Sequence, residues 1–211
     1  DQEGGRVQRF NNEEFFTYPP QKFFGDIYCF DKKKAERLSY LNARLIAYEL
    51  KEVGVNVNCS PVLDVFFSKG DKIIGDRSFG SDPKNIAVLA KKYCQGFKDG
   101  GIFPVIKHFP GHGRAEQDSH VELPIVSEGL KDLEKVDLVP YRSLKNENFL
   151  MVAHILYQNI DKNIAPYSNK ILKSILEESV NFDGLIISDD LSMLALSGTI
   201  IERTKNCFKG S

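Results

Sequence analysis

Ile102-Phe103-Pro104-Val105-Ile106-Lys107-His108-Phe109-Pro110-Gly111-His112-Gly113 is an apolar run that ends abruptly in polar, chemically able residues. Residues 102–106 are continuously apolar rather than alternating, the pattern of a strand covered on both faces, as in a parallel sheet. Three more runs repeat the design. Val55-Asn56-Val57-Asn58 leads through Pro61-Val62-Leu63 to Asp64, residues 149–153 lead to His154, and residues 184–187 lead to Ser188-Asp189-Asp190.

Helical patterns lie between these strands. Asp31 is placed to cap a helix whose Leu38, Leu41, Leu45 and Tyr48 make one face and which Gly54 ends. Asp82-Pro83 is an N-cap with proline in the first turn. Ile86, Leu89, Ala90, Tyr93 and Phe97 then recur at helical spacing until Gly100-Gly101. Ser168 opens a third helix with Ile171, Leu172, Ile175 and Leu176 on one stripe. Residues 10–20 read as a long loop, and residues 198–211 as a polar tail without structure.

Strands alternating with helices imply right-handed βαβ units, in either an open doubly wound sheet or a (β/α)8 barrel. The barrel fits better, because candidate catalytic residues end several different strands, as they do at a barrel's C-terminal face. A full barrel takes roughly 250 residues, so four clear strands in 211 residues predict a single, incomplete α/β barrel domain spanning 1–211.

Composition narrows the function. Twenty-eight Lys+Arg against 29 Asp+Glu leave a charge of −1, so no global basic field draws nucleic acid or an anionic membrane. No apolar stretch approaches the ~18 residues of a membrane span, and residues 1–211 show no charged start followed by an apolar run of the kind a secretory signal has, although one could precede Asp1. The chain opens on Asp1 rather than Met, which points to residues upstream. Cys29, Cys59, Cys94 and Cys207 lack zinc-ligand spacing and read as small buried hydrophobes in a reducing compartment. Asn58-Cys59-Ser60 matches a glycosylation acceptor only by chance, since it sits in an apolar strand-like run.

Three of the chain's four histidines, His108, His112 and His120, fall with Asp118 in 13 residues after one strand. Gly111 and Gly113 suit a sharply bent loop, one able to close over a ligand. In Asp118-Ser119-His120, i,i+2 spacing in extended chain puts carboxylate and imidazole on one side. The carboxylate would then fix one ring nitrogen and leave the other to exchange a proton. Of Asp189 and Asp190, one faces the site and the other caps a short helix near Leu191. Asp1-Gln2-Glu3-Gly4-Gly5-Arg6 and Gly75-Asp76-Arg77-Ser78-Phe79-Gly80 are polar, glycine-bearing turns that carry little information alone. Gly111-His112-Gly113 lacks the third glycine of a dinucleotide site, so no nucleotide cofactor is expected.

Taken together, these motifs resemble bacterial β-N-acetylglucosaminidases of glycoside hydrolase family 3, the NagZ type. The similarity rests on residues 107–113 with Asp118-Ser119-His120, on residues 1–9, on Ser60-Pro61-Val62-Leu63-Asp64, on residues 75–79 and on residues 188–193, all in the same order. The resemblance implies a (β/α)8 barrel that removes terminal N-acetylglucosamine with retention of configuration. Asp189 would be the nucleophile, His120 the general acid/base and Asp118 its orienter. Asp1, Arg9, Arg77, Lys107 and His108 would hold the sugar. His154 and Asp64 line the site without an assigned role. It further implies no cofactor or metal, a monomer, and an N-acetylglucosamine-containing muropeptide as substrate in cytoplasmic cell-wall recycling. It places Asp1 at the end of the second barrel strand, with the first strand, most of the second and the last two strands outside the chain.

Other readings stay open beside it. A metal-dependent barrel hydrolase would use His108, His112, His120 and Asp189 as ligands. The sugar's own acetamide could attack instead of Asp189, phosphate could replace water, or the chain could be an inactive, truncated sugar-binding relative.

Overall fold

Residues 1–70, 72–117 and 122–210 are described by the computed structural model of the chain. All four apolar runs form strands: β3 (Val57–Asn58), β4 (Phe103–Phe109), β6 (Phe149–Val152) and β8 (Leu185–Ser188) lie side by side in that order, every pair parallel. Phe109 pairs with Val152 and Val152 with Ser188, so β4, β6 and β8 end level. The chain after β3 returns to the sheet through a bridge between Val62 and Lys107. Two short antiparallel strands, β1 (Gln2–Gly4) and β2 (Val7–Gln8), join this edge. There the Asn58 side chain accepts from the Gln2 amide at 2.9 Å and donates to its carbonyl at 2.8 Å. Asn58 is therefore a buried structural residue, in keeping with its glycosylation match being chance.

α1 (Gln21–Tyr28), α2 (Lys32–Glu52) and α3 (Pro83–Asp99) pack beside the sheet. Asp31 and Asp82 cap α2 and α3 through the amides of Lys34 and Lys84, at 3.0 and 2.8 Å. Ile86, Leu89, Ala90, Tyr93 and Phe97 are all buried, as α3's periodicity predicts. The third helix, Lys170–Val180, is wound as a π-type helix; the Ser168 hydroxyl accepts from the Ile171 amide, and its expected stripe is buried.

Three expectations need correcting. α2 buries Ala35, Ser39, Asn42, Ala43, Ile46, Ala47 and Leu50, whereas Leu41, Leu45 and Tyr48 are exposed. A side chain on Gly96 of α3 would collide with the Tyr40 carbonyl, and one on Gly100 with Ala47. The helices approach so closely that only small residues fit between them. Residues 198–211 are not a structureless tail, because α6 (Ile200–Gly210) occupies most of them. Its start is a capping box: the Thr199 amide donates to Glu202 at 2.8 Å while the Thr199 hydroxyl accepts from the Glu202 amide. Of the four cysteines, all free, only Cys94 is buried.

Shorter elements fill the loops: β5 (Ile125–Val126) pairs with β7 (Leu156–Tyr157), and α4 (Leu130–Lys135) and α5 (Leu138–Ser143) connect β5 to β6. Residues 10–20 form the expected loop. Among the described residues, no helix is long and apolar enough to cross a membrane.

Candidate active site

Because β4, β6 and β8 run parallel and end level, and the chain after β3 rejoins them at the Val62–Lys107 bridge, the residues that follow share one rim of the sheet. A cavity of about 620 Å3 opens there, lined by Asp1, Arg9, Arg77, Lys107, His108 and Asp189 among others. All five residues expected to hold a sugar and the expected nucleophile thus share one wall. Asp118 and His120, the expected acid/base pair, lie outside the described residues.

Lys107 and His108 are neighbours on β4, and side chains on a regular strand would face opposite ways. Register slips between Ile106 and Phe109, which pair with Leu150 and Val152, so β4 carries one extra residue there. Such a bulge re-aims side chains, and both residues reach the cavity.

Charge arranges the rest. Lys107, almost wholly buried, places its ammonium 2.6 Å from Glu3 and 3.0 Å from Asp1. Arg77 grips Glu3 with two bonds, each 2.9 Å. Burial pushes the Glu3 carboxyl up, but Lys107 and Arg77 outweigh it and bring it down to about 2. The neighbouring Arg6 bonds Asp76 at 2.9 Å. The two glycine-bearing turns, weak signals apart, are therefore stapled together by crossed ion pairs. Arg9 reaches Asp1 at 3.2 Å and stays exposed.

Asp64, wholly buried, sits behind His108. Its Oδ2 lies 2.6 Å from His108 Nδ1, and its Oδ1 accepts from the backbone amides of His112 at 2.6 Å and His108 at 3.4 Å. Arg77 Nη2 stands 3.4 Å from the other ring nitrogen, Nε2. Burial, with Arg77 and Lys107 nearby, pushes His108 well below the usual imidazole range, so it is neutral at pH 7. Both ring nitrogens are engaged, one beside a permanent cation, which leaves His108 poorly suited to a metal. Among the described residues no three His, Cys, Asp or Glu side chains gather as a metal site.

Asp189 follows β8, half-buried, and its amide donates to the Val152 carbonyl at 3.1 Å. Burial pushes its carboxyl up, yet His108, the Asp190 amide at 2.8 Å, His154 and Lys107 together hold it below the ordinary aspartate value. With His108 neutral near pH 7, the Asp190 amide and the Lys107 ammonium do this work there. Asp190 also lines the cavity, and its Oδ1 accepts from the Ser192 amide at 2.8 Å, capping a turn rather than the expected helix. His154, at the end of β6, is wholly buried and has no hydrogen-bond partner among the described residues. Burial lowers its pKa and keeps it neutral.

Gly111 and Gly113 are closely packed where they stand. Tyr157 donates to the Gly111 carbonyl at 2.9 Å, and a side chain on Gly113 would strike the Val65 carbonyl. Arg114, just beyond, bonds Asp137 at 2.8 Å and lies over the Phe67 ring.

A parallel α/β sheet with carboxylates, cations and an imidazole on its C-terminal rim is the arrangement of the functional face of a (β/α) barrel. The model for the glycosyl hydrolase family 3 N terminal domain matches residues 1–208, and the chain belongs to that family. Beta-hexosaminidase of Xylella fastidiosa (strain M23) is 38% identical over 200 residues, covering 94% of this chain and 59% of that protein. Beta-hexosaminidase of Nitrosomonas eutropha is 39% identical over 213 residues, covering 99% and 61%. The structure of NagZ from Neisseria gonorrhoeae in complex with N-trifluoroacetyl-D-glucosamine superposes with a TM-score of 0.92 at 38% identity, covering all of this chain and 61% of that one. The α/β barrel class expected from the sequence is the fold of this family. The chain spans about three fifths of the length of these relatives.

Asp64 and His154, expected to line the site, are instead wholly buried beside it, and Glu3 and Asp64 carry contacts that the sequence left without a role. Glu3 stands inside a quoted motif, and Asp64 ends an apolar strand exactly as the assigned residues do. That shared position was the available signal.

Proposed function

We propose that the protein is a retaining, exo-acting β-N-acetylglucosaminidase that releases terminal N-acetylglucosamine from β-linked glycosides such as muropeptides. One observation carries the reading: Asp189, held ionised, opens onto the same cavity as Asp1, Arg9, Arg77, Lys107 and His108. Relatives named beta-hexosaminidase support it.

Glycoside cleavage needs an anion beneath the developing oxocarbenium and a proton for the leaving oxygen. Asp189 supplies the anion and attacks the anomeric carbon, forming a covalent glycosyl-enzyme. His120, oriented by Asp118, protonates the leaving oxygen and then deprotonates the water that releases the sugar. An imidazole titrates near neutrality, so it serves both steps without the raised pKa that a carboxylic acid needs. Arg77, Lys107 and Asp1 hold sugar hydroxyls. The reaction needs no cofactor or metal, and its natural setting is cytoplasmic cell-wall recycling by a monomer.

Hydrolysis of an aryl N-acetyl-β-glucosaminide by the full chain, with His120→Ala beside it, is the test. Turnover that collapses in the variant supports the dyad, and unchanged turnover refutes it. A slow fluorosugar should leave a stable adduct on the peptide carrying Asp189; an active enzyme with no adduct would point to attack by the substrate's acetamide. A rate that depends on added phosphate would make it a phosphorylase.

A further inference from the structure

We infer that Asp64 is a positioning residue that fixes the tautomer of His108, and with it the hydrogen-bond polarity the cavity offers a sugar hydroxyl. The His108 ring is held between Asp64 Oδ2, 2.6 Å from Nδ1, and Arg77 Nη2, 3.4 Å from Nε2. Guanidinium has only donors, so the nitrogen facing it must be bare. The proton therefore sits on Nδ1 and is donated to Asp64. Burial pushes the Asp64 carboxyl up; the two backbone amides aimed at Oδ1 and the nearby Arg77 oppose it, and the donor-only Arg77 at Nε2 requires the carboxylate form as the acceptor at Nδ1. Nε2 is left as an acceptor on the cavity wall. A hydroxyl that displaces the long 3.4 Å contact to Arg77 can donate to Nε2 while its oxygen accepts from the freed Nη2–H, so the pair reads a hydroxyl as both donor and acceptor.

Asp64→Asn reverses this polarity at almost constant shape. The amide oxygen keeps the backbone bonds, its NH2 then faces Nδ1, and the ring must carry its proton on Nε2, against Arg77. The identity of the hydroxyl as a sugar's rests on the function proposed above; the tautomer does not.

Nitrogen-15 NMR of histidine-labelled full chain reads the tautomer directly. A protonated Nδ1 and a bare Nε2 on His108 are expected in the unaltered protein, and the reverse in Asp64→Asn. With an aryl N-acetyl-β-glucosaminide, KM should rise roughly 10- to 100-fold in the variant, the worth of one strong hydrogen bond. A protonated Nε2 in the unaltered protein overturns the inference, whatever the activity, and needs no variant to fold. An Asp64→Asn protein that keeps Nδ1–H also overturns it, because Asp64 would then not set the tautomer. If the tautomer switches as expected but neither protein turns over the glycoside, the sugar reading fails and the positioning role stands.

Discussion

Glu3→Gln isolates the electrostatic centre of the site. Glu3 is buried, bonded twice by Arg77 at 2.9 Å and once by Lys107 at 2.6 Å. Glutamine keeps the shape and removes the charge. Two routes give the size of the effect. A carboxyl brought from its ordinary 4.5 to about 2 in the folded state corresponds to roughly 3 kcal/mol at neutral pH. Removing one member of a buried ion pair costs about 3–5 kcal/mol, because the remaining charges stay desolvated. With a urea slope of about 2–3 kcal/mol/M, the unfolding midpoint should fall by roughly 1–2.5 M. The pH dependence supplies the control. The folded-state pKa is depressed, so this stabilisation is complete above 4.5 and drains away as pH falls towards about 2. Unaltered protein should therefore lose stability steeply across that window, while Glu3→Gln, lacking the titrating group, should lose less. A midpoint shift below about 0.3 M, or parallel pH profiles, would refute the claim that Glu3 anchors the two cations.

The other predictions concern the nucleophile, the glycine contact and α6. Asp189→Asn should cut kcat roughly 10^4-fold or more and abolish the fluorosugar adduct. On the proposed mechanism Asp189 attacks as an anion, and because its pKa is lowered the acid limb of kcat/KM that it sets should lie below the ordinary aspartate range, which a pH–rate profile of the full chain reads. Gly113→Ala pushes a methyl group into the Val65 carbonyl and should destabilise by about 1–3 kcal/mol, seen as a lower Tm. Thr199→Ala breaks the capping box of α6 and should cost about 1 kcal/mol by urea unfolding.

The sequence disclosed whatever is local and strongly patterned. The four strands were legible because continuous apolar runs of five or so residues have few other uses, and α3 because its large residues are its buried ones. α2 misled for a physical reason. Its large residues Leu41, Leu45 and Tyr48 form a regular stripe, but close packing on α3 is made by Ala43 and Ala47 against Gly96 and Gly100, and small residues leave a faint periodic signal. α6 hid behind a polar composition, although Thr199-Ile200-Ile201-Glu202 spelled its capping box.

What stayed hidden in the site was pairing at a distance. Glu3 meets Arg77 across 74 residues and Asp64 meets His108 across 44, so no spacing rule connects them. Their charges nonetheless carry a constraint that the assembled site exposes. Arg9, Arg77 and Lys107 face only two ion-paired carboxylates, Asp1 and Glu3, and Asp64 meets a neutral imidazole. On that wall the Asp190 amide and the Lys107 ammonium keep Asp189 ionised despite burial. In the proposed reaction, a neutral sugar entering this wall would bring no charge to upset that balance. The carboxylate can then wait as an anion for the positive charge that appears only when the glycosidic bond begins to break, which is the differential stabilisation catalysis requires.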